Sequence, residues 1–473
     1  MDSILSVGID IGTSTTSMVV SRLEVQNTAS CFTVPRVAIT GAELVYRGTI
    51  YPTPQAEGNR IDIEAVSALL QKEYQKAGIT PDQVQTGAVI ITGESSRKEN
   101  AAMVTEHMSN LAGEFVVASA GPDLESIIAA KGAGAQQFSQ ENGCTVANLD
   151  VGGGTTNIAV FNCGDLVAKG CWDIGGRLLK VQDGKVSYLS PRMKAVADSI
   201  GVDIRLGETA DAAKIRRVTD RMAALMAESL GLVPATPLCE LIRTPEASEM
   251  ELDRKVDRIS FSGGVADYIY HPSEDWFRHG DIGPLLAASI RDGVICQASK
   301  VIPAKETIRA TVVGAGSYTT TVSGSTIAYS GEELFPMKNL PAFFPARAAE
   351  EAAVRGDGSK LRTEAEWFLQ ESGSDDLIFC FNRIRQPGYK EVCALADAMV
   401  QASESLPAGQ PLLVLTEQDF AKALGQALRR RLKDRAVICI DGIQAVQGDY
   451  LDLGRPLMAG LAIPVVVKTL IFG

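Results

Sequence analysis

The sequence predicts an α/β protein: two similar lobes facing each other across a cleft, with an additional C-terminal α/β region. Three observations carry this. The pattern apolar strand, aspartate, glycine-rich turn with threonines, apolar strand occurs twice, as VGIDIGTSTTSMVV at the N-terminus and ANLDVGGGTTNIAVF about a third of the way in. After each copy, strand-length apolar runs alternate with helical patterns, the signature of a sheet covered on both faces. From about residue 330 a Pro-rich stretch leads into a separate strand and helix alternation. The expected divisions are 1–140 and 141–330 for the two lobes and 331–473 for the C-terminal region.

In the first lobe, turns at Pro52-Thr53-Pro54 and Gly58-Asn59 follow the opening hairpin. Asp62 is placed to cap an amphipathic helix carrying Val66, Leu69, Leu70 and Tyr74 on one face, ended by Gly78 and Pro81. GAVIITG reads as a buried strand, residues 97–112 as a helix, FVVAS as a strand and residues 123–137 as a helix of small residues. The second lobe repeats the programme from Val146: hairpin, a strand at LVAKGCWDI, and a helical insert at about 190–245 that includes the amphipathic stretch from Asp211 to Leu230. RISFSGGVADYIY reads as strand, Gly-Gly turn and helix start, and RATVVGAGSYTT as a strand broken at a glycine turn. Phe335 to Pro345 reads as loop; DLIFCFN, PLLVLT, AVICIDG and the terminal IPVVVKTLIFG then read as strands, separated by helices from about 388 and up to about 432.

A chain of 473 residues holds two or more domains and buries a sizeable core. Its 45% hydrophobic and 22% charged residues suit a soluble globular protein. A formal charge of −12 argues against a nucleic-acid partner, which requires a basic surface. Arg429-Arg430-Arg431 reads as a solvated helix end favoured by the dipole. No run reaches the ~18 apolar residues of a membrane span. Asp2 stands where a signal peptide needs a basic segment, so the expected location is cytoplasmic. The nine cysteines are odd in number, scattered and without a C-x-x-C pair, and read as small buried hydrophobes in a reducing compartment. A nucleophilic Cys393 is the less favoured alternative. His107, His271 and His279 are too few and too separated for a zinc cluster, and the last two are expected in a loop.

In each repeated segment the strand ends in a single carboxylate, Asp10 or Asp150, before a turn through Gly12-Thr13 or Gly152-Gly153-Gly154-Thr155. Glycines let the backbone fold tightly and approach a ligand. Successive N–H groups in such a turn form a concave anion site, to which the hydroxyls of Ser14, Thr15, Thr16, Thr155 and Thr156 can add donors. The turn therefore reads as a phosphate clamp. A carboxylate at its mouth suits Mg²⁺, a cation held through one or two carboxylates plus phosphates and water. An ordinary hairpin is the competing reading of either copy alone. The pairing, and the three consecutive glycines of the second copy, favour the clamp. No G-x-x-x-x-G-K-[ST] string is present, TGESSRKENA being the nearest approach. The ligand is expected at the strand ends, in the cleft.

These segments resemble the actin-like ATPase superfamily, which also holds sugar kinases, DnaK-type chaperones and bacterial division ATPases. DIGTSTT resembles its first phosphate motif, LDVGGGTTN the second, FSGG with Gly263 and Gly264 the adenosine motif, and PDLESIIAAKGAG and VVGAGSYTT the two connecting helices. The resemblance implies duplicated ribonuclease-H-like lobes around a nucleotide cleft, with ATP and Mg²⁺ as ligands. It implies that Asp10 and Asp150 hold Mg²⁺ through water, that Gly12, Thr13, Gly153, Gly154 and Thr155 bind phosphates, and that Gly175 and Gly176 lie near them. Gly263 and Gly264 would let the backbone approach ribose and adenine. On the superfamily pattern the water-orienting group lies nine residues before Gly132, at Asp123, with Glu125 the alternative; either acid could instead cap the helix. Lys214 and Arg217 are candidates to flank adenine, against a solvated helix face.

The wider sequence is similar to the ethanolamine ammonia-lyase reactivating factors, through CWDIGGRLLKV, ISFSGGVADYIY, HGDIGPLLAASI and IPVVVKTLIFG. That resemblance implies a chaperone with an ATPase motor, which releases damaged cobalamin from the lyase so that intact adenosylcobalamin can bind. The implied partners are the lyase and ATP/ADP, with adenosylcobalamin reached through the lyase, and the implied location is a bacterial microcompartment. Two alternatives stand beside it: a small-molecule kinase of the same superfamily, which needs a base facing a substrate hydroxyl, and a filament-forming ATPase.

Overall fold

Both lobes are built on one strand plan. The computed structural model describes residues 2–12, 15–29, 37–56, 60–92, 100, 103–104, 107, 116–119, 121–318, 320–324 and 326–469. The first lobe contains β1 (Asp2–Ile11), β2 (Thr15–Asn27), β3 (Val37–Arg47), β4 (Thr86–Ile91) and β5 (Val116–Ser119), in the spatial order β3-β2-β1-β4-β5. The second contains β6 (Thr145–Val151), β7 (Thr156–Asn162), β8 (Asp165–Trp172), β9 (Arg258–Ser262) and β10 (Lys300–Val301), in the corresponding order β8-β7-β6-β9-β10. In each, the first strand is antiparallel to the second and parallel to the fourth. The duplication visible in the hairpins thus extends to the whole sheet, and the fold is actin-like: two ribonuclease-H-like lobes. β4, β6 and most of β9 are buried along their length, which is why they read as near-continuous apolar runs.

Local signals act where expected in helix α1 (Ile63–Ala77): the Asp62 carboxylate accepts from the Ala65 N–H at 3.0 Å, and Gly78 closes the helix at φ 68°. The stretch 123–137 forms two helices, α2 (Pro122–Gly132) and Ala135–Asn142, broken at Gly134 with φ 83°. Residues 97–112 fall mostly outside the described residues; Met103, Val104 and His107 are helical. The insert consists of helices Pro191–Ser199, Ala212–Ser229 and Pro237–Leu241.

RATVVGAGSYTT is not a broken strand. Ala310–Tyr318 is a helix, α3, crossing α2 at backbone contact. A Cβ on Gly132 would lie 1.9 Å from the Ala310 carbonyl oxygen, and one on Gly314 would lie 2.0 Å from that of Ile128. Glycine weakens a helix by about 1 kcal/mol relative to alanine, and here it allows two helix backbones to touch.

The C-terminal region forms an eight-stranded sheet whose edge strands, Thr320–Val322 and Ala328–Tyr329, come from before the expected boundary at 330. Its centre is four parallel strands, β11 (Met337–Phe343), β12 (Ile378–Phe381), β13 (Leu412–Thr416) and β14 (Val437–Asp441), joined through helices that include Arg347–Ala353, Tyr389–Ala402 and Ala421–Arg431. The stretch Phe335 to Pro345 therefore contains a strand where a loop was expected. The β11 register against β15 (Asp449–Leu453) is irregular between Met337 and Leu340 and regular from Leu340 to Pro341. β15 pairs antiparallel with β11, and β16 (Pro464–Thr469) pairs antiparallel with β15, completing the sheet. Val466 of β16 packs with Ala88, Ile90, Ile128 and Ala315, and Ala462 with Ile4, Leu23, Val25 and Val37, so the third sheet seats on the first lobe.

Cys171, Cys239, Cys380 and Cys439 are buried as expected, Cys144, Cys296 and Cys393 are half-buried, and Cys163 is exposed, which corrects a uniformly buried set; Cys31 lies outside the described residues. Among the described residues, no helix is long and apolar enough to cross a membrane.

Candidate functional site: a cleft between two matched hairpins

The turns of the two hairpins close in the same way. The Gly12 N–H donates to the Thr15 carbonyl at 2.9 Å, and the Gly152 N–H to that of Thr155 at 2.9 Å. Each carboxylate also accepts a hydroxyl hydrogen bond from the neighbouring parallel strand or its end. Thr92 Oγ1 donates to Asp10 Oδ1 at 2.9 Å, and Ser262 Oγ donates to Asp150 Oδ1 at 2.6 Å. Both acids face one cavity of about 410 Å³, a size that suits a small-molecule ligand.

Burial pushes the Asp10 carboxyl up to about 7, opposed by the Thr92 hydrogen bond and reinforced by the charge of Asp150. Burial likewise pushes Asp150 up to about 6, against the Ser262 hydrogen bond. Two desolvated carboxylates facing each other favour a cation between them. Among the described residues no cluster of three or more His, Cys, Asp and Glu could hold a metal. Two carboxylates, completed by phosphate oxygens and water, fit Mg²⁺.

The cavity gathers Asp10, Gly12, Thr15, Glu125, Asp150, Gly152, Gly153, Gly154, Thr155, Gly176, Gly263 and Gly264 of the expected residues. Thr13 and Ser14 lie outside the described residues. Thr16 and Thr156 are corrections. Both are buried and turned away from the cleft, Thr16 against the Thr53 hydroxyl at 3.1 Å and Thr156 donating to the Ile174 carbonyl at 2.8 Å. Strand alternation puts consecutive threonines on opposite faces, so only Thr15 and Thr155 are presented.

Gly175 supports the second hairpin from behind. A Cβ there would lie 2.3 Å from the Gly153 carbonyl oxygen, and the adjacent Gly176 and Arg177 N–H groups donate to Gly152 and Gly153 at 3.0 and 2.7 Å. Gly263 sits at φ 86°, with a Cβ position 2.4 Å from the Val151 carbonyl oxygen, so only glycine fits.

The structure separates the two candidate acids on α2. Glu125 lines the cavity, whereas Asp123 points away, ion-paired to Lys169 at 2.8 Å and accepting from the Ser248 N–H at 3.0 Å and the Ser248 hydroxyl. Positions two apart on a helix face different directions. Lys214 and Arg217 are also outside the cavity lining: Lys214 pairs with Glu208 at 2.8 Å and Arg217 is exposed.

Residues that the sequence did not single out complete the wall. Arg177 pairs with Asp281 at 3.2 Å, and Tyr268 shares a hydrogen bond with His279, their ring centroids 5.7 Å apart. Tyr268 follows the Gly-Gly turn on the helix Ala266–Tyr270, a signal within reach of the FSGG motif; His279 comes from the following loop and carries no local signal.

The family model for ethanolamine utilisation protein EutA matches residues 2–473 of the chain. The ethanolamine ammonia-lyase reactivase EutA of Escherichia coli K12 is 36% identical over 473 residues, spanning 99% of this chain and 98% of its own. The protein of that name from Salmonella typhimurium LT2 is 36% identical over 477 residues, again spanning 99% and 98%. Among solved structures, ethanolamine utilization protein EutJ from Carboxydothermus hydrogenoformans aligns over 67% of this chain and 90% of its own at 15% identity, with a TM-score of 0.35. The ROK hexokinase of Thermus thermophilus aligns over 66% and 97% at 15% identity, with a TM-score of 0.34. With its whole described length inside the family model, the chain belongs to the EutA family of ethanolamine utilisation proteins.

Proposed function

We propose that the chain is an ATP-dependent reactivase of ethanolamine ammonia-lyase, expelling damaged cobalamin so that intact adenosylcobalamin can bind. The observation that carries the motor is the cleft, where two hairpins with the same turn bond and the same hydroxyl-held carboxylate face one cavity. The choice of partner rests on similarity along nearly the full chain to proteins named as reactivases of that lyase.

Asp10 and Asp150 would hold Mg²⁺ through its waters, and the bound ion would neutralise charge developing on the phosphates. The N–H groups around Gly12 and from Gly152 to Thr155 would cradle those phosphates, with Thr15 and Thr155 adding hydroxyls. Gly263 and Gly264 would admit the ribose, and Tyr268 with His279 would flank the base. Glu125 is the acid placed to orient an attacking water. A nucleotide touching both hairpins favours one lobe arrangement over another by the contacts it makes in each, so loss of the terminal phosphate shifts that balance. Because the third sheet seats on the first lobe, a lobe movement carries it along and can change the surface offered to the lyase. The same reading puts the chain in the cytoplasm, within a bacterial microcompartment together with the lyase.

The test is reactivation. Lyase blocked with cyanocobalamin should regain deamination when mixed with the chain, ATP, Mg²⁺ and adenosylcobalamin, and should stay inactive without ATP. Asp10→Ala and Asp150→Ala should each abolish ATP hydrolysis and reactivation while keeping the wild-type circular dichroism spectrum. Near-normal reactivation by either variant overturns the reading.

A further inference from the structure

The C-terminal sheet carries a cavity of its own, about 630 Å³, just beyond the carboxyl end of β12. In open α/β sheets this is where ligands bind. Its lining is polar and mixed in charge. Arg383 and Arg385 come from the loop after β12, and Arg347, Arg355 and Glu350 from the helix Arg347–Ala353 and its end.

Glu350 is the informative residue. It is 3% exposed, and neither carboxylate oxygen makes a hydrogen bond of good geometry among the described residues, with the Asn382 N–H and the Arg383 guanidinium as the donors beside it. The nearest cation, Arg383 Nη1, lies 3.6 Å from Oε2, within ion-pair range and too far for a hydrogen bond. Asn382 Oδ1, also in the lining, is a buried acceptor without a donor among the described residues. The other acids are engaged: Glu351 with Arg347 at 2.9 Å, and Glu391 with the Gly388 N–H at 2.7 Å. A buried acceptor short of well-formed hydrogen bonds is costly, which makes this cavity a candidate for a ligand that brings donors.

The two features constrain the occupant together. A bare anion would satisfy the guanidinium groups and leave the Glu350 and Asn382 oxygens short of donors. A simple cation would meet four arginines. We propose that this cavity binds a phosphorylated polyhydroxy small molecule, a sugar phosphate or mononucleotide, with the phosphate on Arg383 and Arg385 and hydroxyls donating to Glu350 and Asn382. Planar guanidinium forks match phosphate oxygens, and a carboxylate accepts well from vicinal hydroxyls. The site shares no residue with the cleft between the lobes and stands independently of the reactivase reading.

Calorimetric titration of the full chain, with the cleft saturated by ADP and Mg²⁺, tests it with ribose 5-phosphate, inorganic phosphate and ribose as probes. Ribose 5-phosphate should bind at one site, about 10-fold or more tighter than either fragment, because both charge-assisted sets are made together. Arg383→Gln and the exposed Arg385→Gln should each weaken it by about 10-fold. Glu350→Gln should remove its advantage over inorganic phosphate and retain phosphate binding. Circular dichroism identifies any variant that fails to fold. The proposal is overturned if ribose 5-phosphate does not bind beside ADP, if both arginine variants bind it as the wild type does, or if inorganic phosphate binds equally well.

Discussion

Gly314→Ala tests whether the crossing of α2 and α3 is set by backbone contact. Helix propensity alone predicts stabilisation by up to about 1 kcal/mol. The packing predicts the reverse. An added Cβ would lie 2.0 Å from the Ile128 carbonyl oxygen, 2.8 Å from its carbon and 2.9 Å from Ile128 Cγ2. Ordinary contact begins at 3.4 Å, so the helices must part by 3.4 − 2.0 = 1.4 Å at that point, and the obstacle is backbone that cannot rotate away. Overpacking of this kind costs roughly 1–3 kcal/mol, and parting α3 also disturbs β1, where a Cβ on Gly8 would meet the Val312 oxygen at 2.1 Å. The expected net loss is about 1–2 kcal/mol after the propensity gain, read as a lower urea midpoint with an unchanged slope. A midpoint equal to or above the wild type would refute the reasoning.

Gly154→Ala is the complementary case: no atom lies within 4 Å of its Cβ position, yet the residue lines the cleft. Its urea midpoint should stay at the wild-type value while nucleotide affinity falls about 10-fold, measured by titration with ADP. Glu125→Gln should lower ATP turnover by about 10²–10⁴-fold with nucleotide affinity retained, and Asp123→Asn should leave turnover near wild type; equal losses would remove the distinction between the two acids. Glu73 gives a pH-dependent stability. Burial would raise its carboxyl, but hydrogen bonds from Lys76, Tyr51, the Thr49 N–H and Tyr46 prevail and hold it at about 2, below the ordinary 4.5. A lowered folded-state value contributes stability above 4.5 that is lost as the pH falls through 2. Glu73→Gln should therefore cost roughly 2–3 kcal/mol at pH 7 and progressively less between pH 4.5 and 2, measured as urea midpoints across that range.

The hairpins were legible because everything that makes them is local: an aspartate, a glycine turn and a threonine within a few residues. The same locality made Asp62 and Gly78 readable as the ends of α1. The hydroxyls that hold the two carboxylates were not readable, because Thr92 and Ser262 reach Asp10 and Asp150 through parallel strand neighbours far away in sequence. Thr16 and Thr156 share the local pattern of their neighbours but face away from the cleft, because side chains alternate along a strand. Thr311, Val312 and Val313 favour a strand locally, and Gly314 looks like a break; close packing against α2 and β1 overrides that preference. The resemblance to a connecting helix identified this segment where its residues alone misled. In the C-terminal region Glu350 sits among acids and arginines that look like any solvated helix, and only its burial distinguishes it.

The seating of β16 on the first lobe also bears on how the protein is made. Ile4, Leu23 and Val25 leave the ribosome well before Ala462 and Val466, which cover this lobe and lie far downstream in the sequence. Until then the lobe presents an apolar face to solvent, of the kind that promotes association between unfinished chains. Two segments far apart in sequence therefore complete one core, and a polypeptide ended near residue 330 would keep both hairpins yet leave that face without Ala462 and Val466.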